Sequence, residues 1–323
     1  MDTMKAVRIH EYGGPEVLKY EDAPRPQPAA GEVLIRVHAA GVNPVDRAIR
    51  QGYFKERMPF KLPFVPGWDV AGVVEAVGSG VSRLKRGDEV YGRTDLSREG
   101  SYAEYMVARE SEIALKPKSV DFVTAAAIPL ACLTAWQALF DNAQLAAGQT
   151  VLIHGGAGGV GHFAVQLAKI KGARVIATAS ARNHEFLRSL GADQVVDYNT
   201  TRFEDVVHDV DVVLDSISGD TADRSYQVIK KGGIFVSILR PPSPEKATAH
   251  GVRMGHTFVQ ANVAELDEIA KLVDSGKLKA TIEKVFPLAE AGAAHDLNAT
   301  GHTRGKIVLR VVQFNVRRPL VAR

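Results

Sequence analysis

Hydrophobic and polar positions follow two different rhythms along the chain. From Met1 to about Asp121, short apolar runs are broken by glycine and proline. Lys5-Ala6-Val7-Arg8-Ile9, Glu32 to Val37, Val70 to Val77 and Asp88 to Tyr91 read as strands, while Gly78-Ser79-Gly80 and Arg86-Gly87-Asp88 carry turn chemistry. The cluster Pro24 to Pro28 forbids ladder pairing and reads as an extended connector. This texture predicts a small, irregular, partly open β-barrel. From about Thr124 the pattern becomes strand alternating with helix. Strands are predicted over Thr150 to His154, Arg174 to Thr178, Gln194 to Val196, Val210 to Leu214 and Gly233 to Ile238. Helical stretches between most of them predict an α/β fold with a doubly wound parallel sheet. Val263 to Asp274 has apolar residues at helical spacing and meets a stop at Gly276. Lys306 to Arg310 reads as a strand that returns to the first domain. The predicted division is residues 1–123 as one domain, completed by about 262–323, with 124–261 as a nucleotide-binding domain between.

A chain of 323 residues exceeds what one core usually organises, in keeping with two domains. The net charge of +3 is small and unclustered, so it points to neither nucleic acid nor an acidic membrane. No uncharged apolar stretch is long enough to span a bilayer. Cys132 is the only cysteine, which rules out an internal disulfide and a thiolate zinc cage. The first ten residues lack the apolar core of a signal peptide. The expectation is a cytoplasmic enzyme.

The strongest chemical signal is Val151-Leu152-Ile153-His154-Gly155-Gly156-Ala157-Gly158-Gly159-Val160-Gly161. Gly156, Gly158 and Gly161 supply the G-x-G-x-x-G spacing, after a β-branched strand and before a helix, the context a Rossmann dinucleotide loop requires. In that reading Gly156 permits the tight turn, Gly158 lets the backbone approach a pyrophosphate, and Gly161 allows close helix–strand packing. Ala157, Gly159 and Val160 complete the loop, whose amides face the phosphates at the positive end of the helix dipole. NAD sites usually carry a carboxylate at the end of the next strand for the ribose 2′-hydroxyl. Here that strand ends Val175-Ile176-Ala177-Thr178-Ala179-Ser180-Ala181-Arg182, with no carboxylate. Thr178 and Ser180 can donate hydrogen bonds and Arg182 can pair with a 2′-phosphate, so the cofactor expected is NADPH.

With these residues assembled, the chain resembles the medium-chain dehydrogenase/reductase superfamily, specifically its zinc-free quinone oxidoreductase branch. The resemblance runs over nearly the whole length, through Met4-Lys5-Ala6-Val7, Gly41-Val42-Asn43-Pro44-Val45-Asp46, Pro66 to Gly72, Pro129 to Trp136, the glycine loop, Leu190-Gly191-Ala192-Asp193 and Gly305 to Leu309. It implies a GroES-like catalytic domain, a cleft between the domains and a homodimer. It also implies that Tyr198 lines the adenosine phosphate site, that Ile217 and Leu239 flank the nicotinamide ribose and ring, and that Thr134 sits near the nicotinamide. Asp215-Ser216-Ile217-Ser218-Gly219 departs from a family pattern that often has two glycines.

In zinc-dependent relatives a cysteine follows the Gly-Val pair and a His-Glu pair follows the Pro-Gly turn. Asn43 and Trp68-Asp69 occupy those positions here, and no metal is expected. Without a Lewis acid to hold an alkoxide, the expected substrates are quinones and α,β-unsaturated carbonyls, which delocalise the charge that hydride transfer creates. The candidate catalytic groups are Asn43 as an amide donor, Asp46 as an orienting carboxylate and Tyr53 as a phenolic donor, with Phe54 competing for the Tyr53 register. Two alternatives stand beside this reading. One is an enoyl-thioester or alkenal reductase; the other is an NADPH-binding regulatory protein with little turnover.

Overall fold

The computed structural model describes residues 2–311; the tail from Gln313 to Arg323 lies outside the described residues. The N-terminal part contains β1 (Thr3–Ile9), β2 (Leu18–Pro24), β3 (Glu32–Val42), α1 (Pro44–Arg50), β4 (Asp69–Val77), β5 (Glu89–Arg93), β6 (Tyr105–Arg109) and β7 (Ile113–Leu115). Two helices then lead out, α2 (Phe122–Ala126) and α3 (Pro129–Trp136). The middle part runs β8 (Thr150–Ile153), α4 (Gly161–Ile170), β9 (Arg174–Ala179), α5 (His184–Ser189), β10 (Gln194–Asp197), β11 (Val210–Asp215), α6 (Gly219–Ser225), β12 (Ile229–Ser237), α7 (Pro244–His250) and β13 (Arg253–His256). The chain closes with α8 (Val263–Asp274), β14 (Ile282–Pro287), α9 (Ala291–Ala299) and β15 (Lys306–Arg310).

Strand β3 organises the first sheet. Its eleven residues pair with β4 along most of their length, with β6 at one end and with β15 at the other. Its apolar run is buried in space: Val33, Ile35 and Val37 are fully buried in one cluster. The returning strand β15 lies antiparallel to β3, with Ile307 opposite Val42 and Val308 opposite Gly41. The partly open barrel is a seven-stranded sheet ordered β14-β15-β3-β4-β5-β7, with β6 joining at β3.

The second sheet is wholly parallel in the order β10-β9-β8-β11-β12-β13. Within the sheet this is 3-2-1-4-5-6, the doubly wound arrangement whose strand order reverses beside β8 and creates a ligand crevice at the strands' C-terminal ends. Strand β13 was not predicted. Its Arg253-Met254-Gly255-His256 has no apolar run, because an edge strand with both faces largely exposed needs none. It follows α7, which ends at Gly251 in the left-handed region.

Helix α4 is buried on every side, including Phe163, Ala164, Val165, Leu167 and Ala168. Burying Phe163 and Leu167 contributes roughly 3–6 kcal/mol together. Two polar residues on α4 bind the returning segment: Gln166 exchanges hydrogen bonds with both backbone groups of Lys279, and His162 Nε2 accepts from Thr281 N at 3.3 Å. Helix α8 adds Leu266, Ile269 and Val273 to the same core, while the Tyr91 hydroxyl of β5 donates to Leu266 O at 2.6 Å.

Candidate functional site

A cleft of about 750 Å³ opens at the C-terminal ends of the parallel strands and reaches the barrel at Asn43. The glycine loop forms its floor. Gly155 is the residue in the left-handed region, with φ +68°, and so takes the turn that the sequence reading gave to Gly156. A Cβ on Gly156 would lie 2.9 Å from the Ala177 Cβ, so this glycine seats the loop on β9 and does not line the cleft. At Gly158 an added Cβ would meet only Gly155 O at 3.4 Å. That exposed stretch of backbone faces the cleft with Ala157, Gly159 and Val160. Gly161 packs hardest: its Cβ would be 2.2 Å from Gly155 O.

The loop is held from behind. His162 accepts Thr281 N–H at Nε2, so its proton sits on Nδ1 and is donated to Gly158 O at 3.0 Å. Burial pulls the His162 pKa down to about 4, which keeps this tautomer neutral. Gly305 N donates to Ala157 O at 2.8 Å. His154 is likewise a buried structural residue, bonded to Thr178 and Ser225, with its pKa lowered by burial to about 4.

One stretch of the lining holds Thr178, Ser180, Arg182 and Tyr198, the residues expected beside the adenosine phosphates, together with Asn199 to Arg202 and His302. Arg202 and Arg224 both pair with Glu204, and Arg224 pairs with Asp220 as well. Arg182 makes no ion pair among the described residues, and its guanidinium donates only to His302 O at 2.6 Å. Among the described residues no aspartate or glutamate lines the cleft.

Ile217 and Leu239 are half-exposed and line the same cleft as Asn43, Pro44, Leu130 and Ala131. Asp215 shapes the Ile217 turn by accepting the Ile217 and Ser218 amides at 3.0 and 2.9 Å. Ser218 adopts φ +69°, ψ −171°, a conformation essentially reserved for glycine. The missing glycine of the family pattern is therefore visible as backbone strain.

Besides Gly156, three expected residues are absent from the cleft lining: Tyr53, Thr134 and Asp46. Tyr53 is 77% exposed. Helix α1 ends at Gly52 in the left-handed region, and the following turn directs Phe54 into the cluster around Ile9 and Trp68, leaving Tyr53 to solvent. Thr134 lies one helical turn beyond Leu130, with its hydroxyl spent on Leu130 O at 2.6 Å inside α3.

Asp46 also lies behind the cleft, fully buried. One carboxylate oxygen accepts Asn43 N–H at 2.8 Å and the Tyr102 hydroxyl at 2.9 Å. Burial pushes its pKa up to about 7, the Asn43 amide works against this, and the nearby Asp69 charge adds to it. The sequence reading missed Lys306 as a site residue. It is 3% exposed, and its ammonium meets Val42 O, Asn43 Oδ1 and the Asp69 carboxylate. The legible signal was a lysine opening an otherwise apolar strand, which is costly unless paired.

A glycine loop at the ends of a doubly wound parallel sheet, opening on a cleft with a polar and a half-apolar stretch of lining, is the arrangement of a dinucleotide-binding protein. Residues 29–118 match the alcohol dehydrogenase GroES-like domain family and residues 190–309 the zinc-binding dehydrogenase family. An NADPH-dependent alkenal/one oxidoreductase of Arabidopsis thaliana is 41% identical over 95% of this chain and 79% of its own length. The solved quinone oxidoreductase of Coxiella burnetii superposes with a TM-score of 0.90 at 40% identity, over 96% of this chain and all of that one. A mycobacterial protein solved in complex with NADPH superposes at 0.86 with 32% identity, over 95% of this chain and all of that one. The chain belongs to the medium-chain dehydrogenase/reductase superfamily, in its quinone oxidoreductase branch. Despite the zinc-binding name of the second family, no group of three or more His, Cys, Asp or Glu among the described residues is placed to hold a metal.

Proposed function

We propose that this protein is an NADPH-dependent, zinc-independent reductase that transfers hydride to quinones or α,β-unsaturated carbonyls. The observation that carries the reading is the composition of one continuous cleft: a glycine floor, an Arg182 without an ion-pair partner among the described residues, and a lining in which those residues place no carboxylate. The glycine backbone and Arg182 fit the pyrophosphate and 2′-phosphate of NADPH, with Thr178, Ser180 and Tyr198 beside the adenosine and Ile217 and Leu239 beside the nicotinamide. When bound, NADPH supplies a hydride at its nicotinamide C4.

The acceptor gains that hydride at its β-carbon or ring carbon, its π pair moves to the carbonyl oxygen, and a proton completes the product. Among the described residues the far end of the cleft offers Asn43 as a hydrogen-bond donor to that oxygen. Tyr53 is too exposed to act as the acid and Asp46 does not reach the lining, so water delivers the proton. Such chemistry suits acceptors that spread their charge, because among the described residues no group of three His, Cys, Asp or Glu is placed to hold a metal against a localised alkoxide. Ile217, Leu239, Leu130 and Ala131 exclude water around the reacting carbon and hold it against the nicotinamide.

The test is oxidation of NADPH and of NADH by 1,4-benzoquinone, 9,10-phenanthrenequinone and acrolein, in the presence of a chelator. NADPH-selective turnover is expected. NADPH binding with no acceptor reduced would favour the regulatory reading, and activity abolished by the chelator would refute zinc independence. We further propose a homodimer in the cytoplasm. Its contact would be the open edge of β13, where Met254 is 43% and Phe258 52% exposed. Light scattering checks the mass; a monomer at micromolar concentration removes that part of the proposal. The single, buried, unpaired Cys132 suits a reducing compartment, and cell fractionation tests the location.

A further inference from the structure

Asn43 is gripped at both ends of its side-chain amide by charged groups. Its Nδ2 donates to Asp69 Oδ2 at 2.8 Å, and its Oδ1 accepts from the Lys306 ammonium. Rotating the amide by 180° would set its carbonyl oxygen against a carboxylate and its NH₂ against an ammonium. Both contacts would be repulsive, so the amide has one permitted orientation. Lys306 has three protons and three acceptors around it, Val42 O, Asn43 Oδ1 and Asp69 Oδ2, at 3.1 Å for the first and 3.6 Å for the last. Asp69 is fixed in turn, because its other oxygen accepts Leu130 N–H at the start of α3 at 2.7 Å.

The amide NH₂ has two protons and Asp69 accepts one. For the second the structure shows no protein acceptor among the described residues, and Asn43 lines the cleft. A cation on Oδ1 draws electron density from the amide nitrogen, which makes the remaining N–H a stronger donor. The same lysine reaches the other half of the site. Its stem lies so close to the glycine loop that a Cβ on Gly159 would be 3.2 Å from Lys306 Cδ, and Gly305 anchors the strand start on Ala157.

We propose that Lys306 is a positioning residue that fixes Asn43 as a hydrogen-bond donor, with its N–H directed at the substrate oxygen that gains charge during hydride transfer. This rests on the reductase reading of the cleft. A flipped Asn43 would turn a carbonyl oxygen towards that charge, opposing the reaction it is placed to assist.

The experiment combines the Asn43 side-chain NMR signal with a kinetic cycle. With ¹⁵N-asparagine labelling and Asn43→Ala for assignment, the wild-type protein without cofactor should show two widely separated Asn43 NH₂ proton signals, the Asp69-bound one slow to exchange. In Lys306→Met, which keeps the stem and removes the charge, the separation should shrink and exchange should quicken. At saturating NADPH, Lys306→Met should lower kcat about 10–100-fold, the scale of a misplaced oxyanion donor, with NADPH affinity within about threefold. In the Asn43→Ala background the same change should cost less than about threefold, because its target is gone. Lys306→Gln, which keeps a neutral donor for Oδ1, should fall between.

Closely spaced, fast-exchanging Asn43 signals in the wild type would overturn the proposal, and that result needs no variant to fold. So would a Lys306→Met penalty equally large with and without Asn43, or a kcat within threefold of wild type. A wild type that reduces no acceptor would sink the reductase reading separately, while the amide signals would still decide whether Lys306 fixes Asn43.

Discussion

Replacing Arg182 with glutamine removes one cation from the adenosine end of the cleft and leaves its polar character otherwise intact. A hydrogen bond between charged groups is worth about 1.5–3 kcal/mol, but Arg182 is solvent-exposed, and screening reduces that to roughly 1–1.5 kcal/mol. At 1.4 kcal/mol per tenfold, the KM for NADPH should rise about 5–12-fold. The KM for NADH, which has no 2′-phosphate, should stay within about twofold, and kcat should hold for both. Arg182→Lys keeps the charge and loses the planar fork, so it should lie between wild type and glutamine. Added salt should weaken NADPH more in the wild type than in the variant. Arg182 also donates to His302 O, and Arg304 donates to the Arg182 carbonyl, so a purely structural role has its own signature. Equal losses for NADPH and NADH would mean that Arg182 acts by holding the 302 loop, and would refute the phosphate assignment.

Two glycines of the loop should separate binding from folding. Gly158→Ala meets no close neighbour, so its melting temperature should stay within a few degrees of wild type while NADPH binding weakens; Gly161→Ala drives a Cβ into Gly155 O and should cost about 1–3 kcal/mol of stability, read by chemical denaturation. Ser218→Gly should stabilise the protein by about 1–3 kcal/mol, since the residue holds a conformation that only glycine adopts freely, and an unchanged denaturation midpoint would contradict the strain. Asp46 should leave a pH signature. Folded Asp46 keeps its proton to about pH 7, whereas an unfolded aspartate releases it near 3.8, so the folded state binds the extra proton between these values. Its contribution to stability therefore falls as pH rises from about 4 to about 7 and is flat above. Asp46→Asn should flatten that part of the stability profile, with the raised pKa of Asp69 leaving a residual slope in the same direction; an unchanged profile would refute the assignment.

The residues of the chain, read in order, determined both architectures and the cofactor loop. A short apolar run over Glu32 to Val37 placed β3, apolar runs placed five of the six parallel strands, and the spacing of Gly156, Gly158 and Gly161 placed the dinucleotide crossover. These are local signals: period, turn chemistry and a strand–loop–helix succession within a few tens of residues. Strand β13 escaped because its edge position removes the hydrophobic demand that makes other strands legible. Tyr53 could not be told from Phe54 as a site residue, since one step of register at the end of α1 decides which ring enters the core. Gly155, not Gly156, takes the left-handed turn, while Gly156 is the glycine that packs against Ala177 on the neighbouring strand. Lys306 was readable as a strand residue, yet its role depends on Asn43 and Asp69, which lie 263 and 237 positions earlier in the chain. Only the antiparallel pairing of β15 with β3 and of β3 with β4 brings those three side chains together. Charge, burial and hydrogen-bond polarity are properties of that meeting, and no local pattern encodes them.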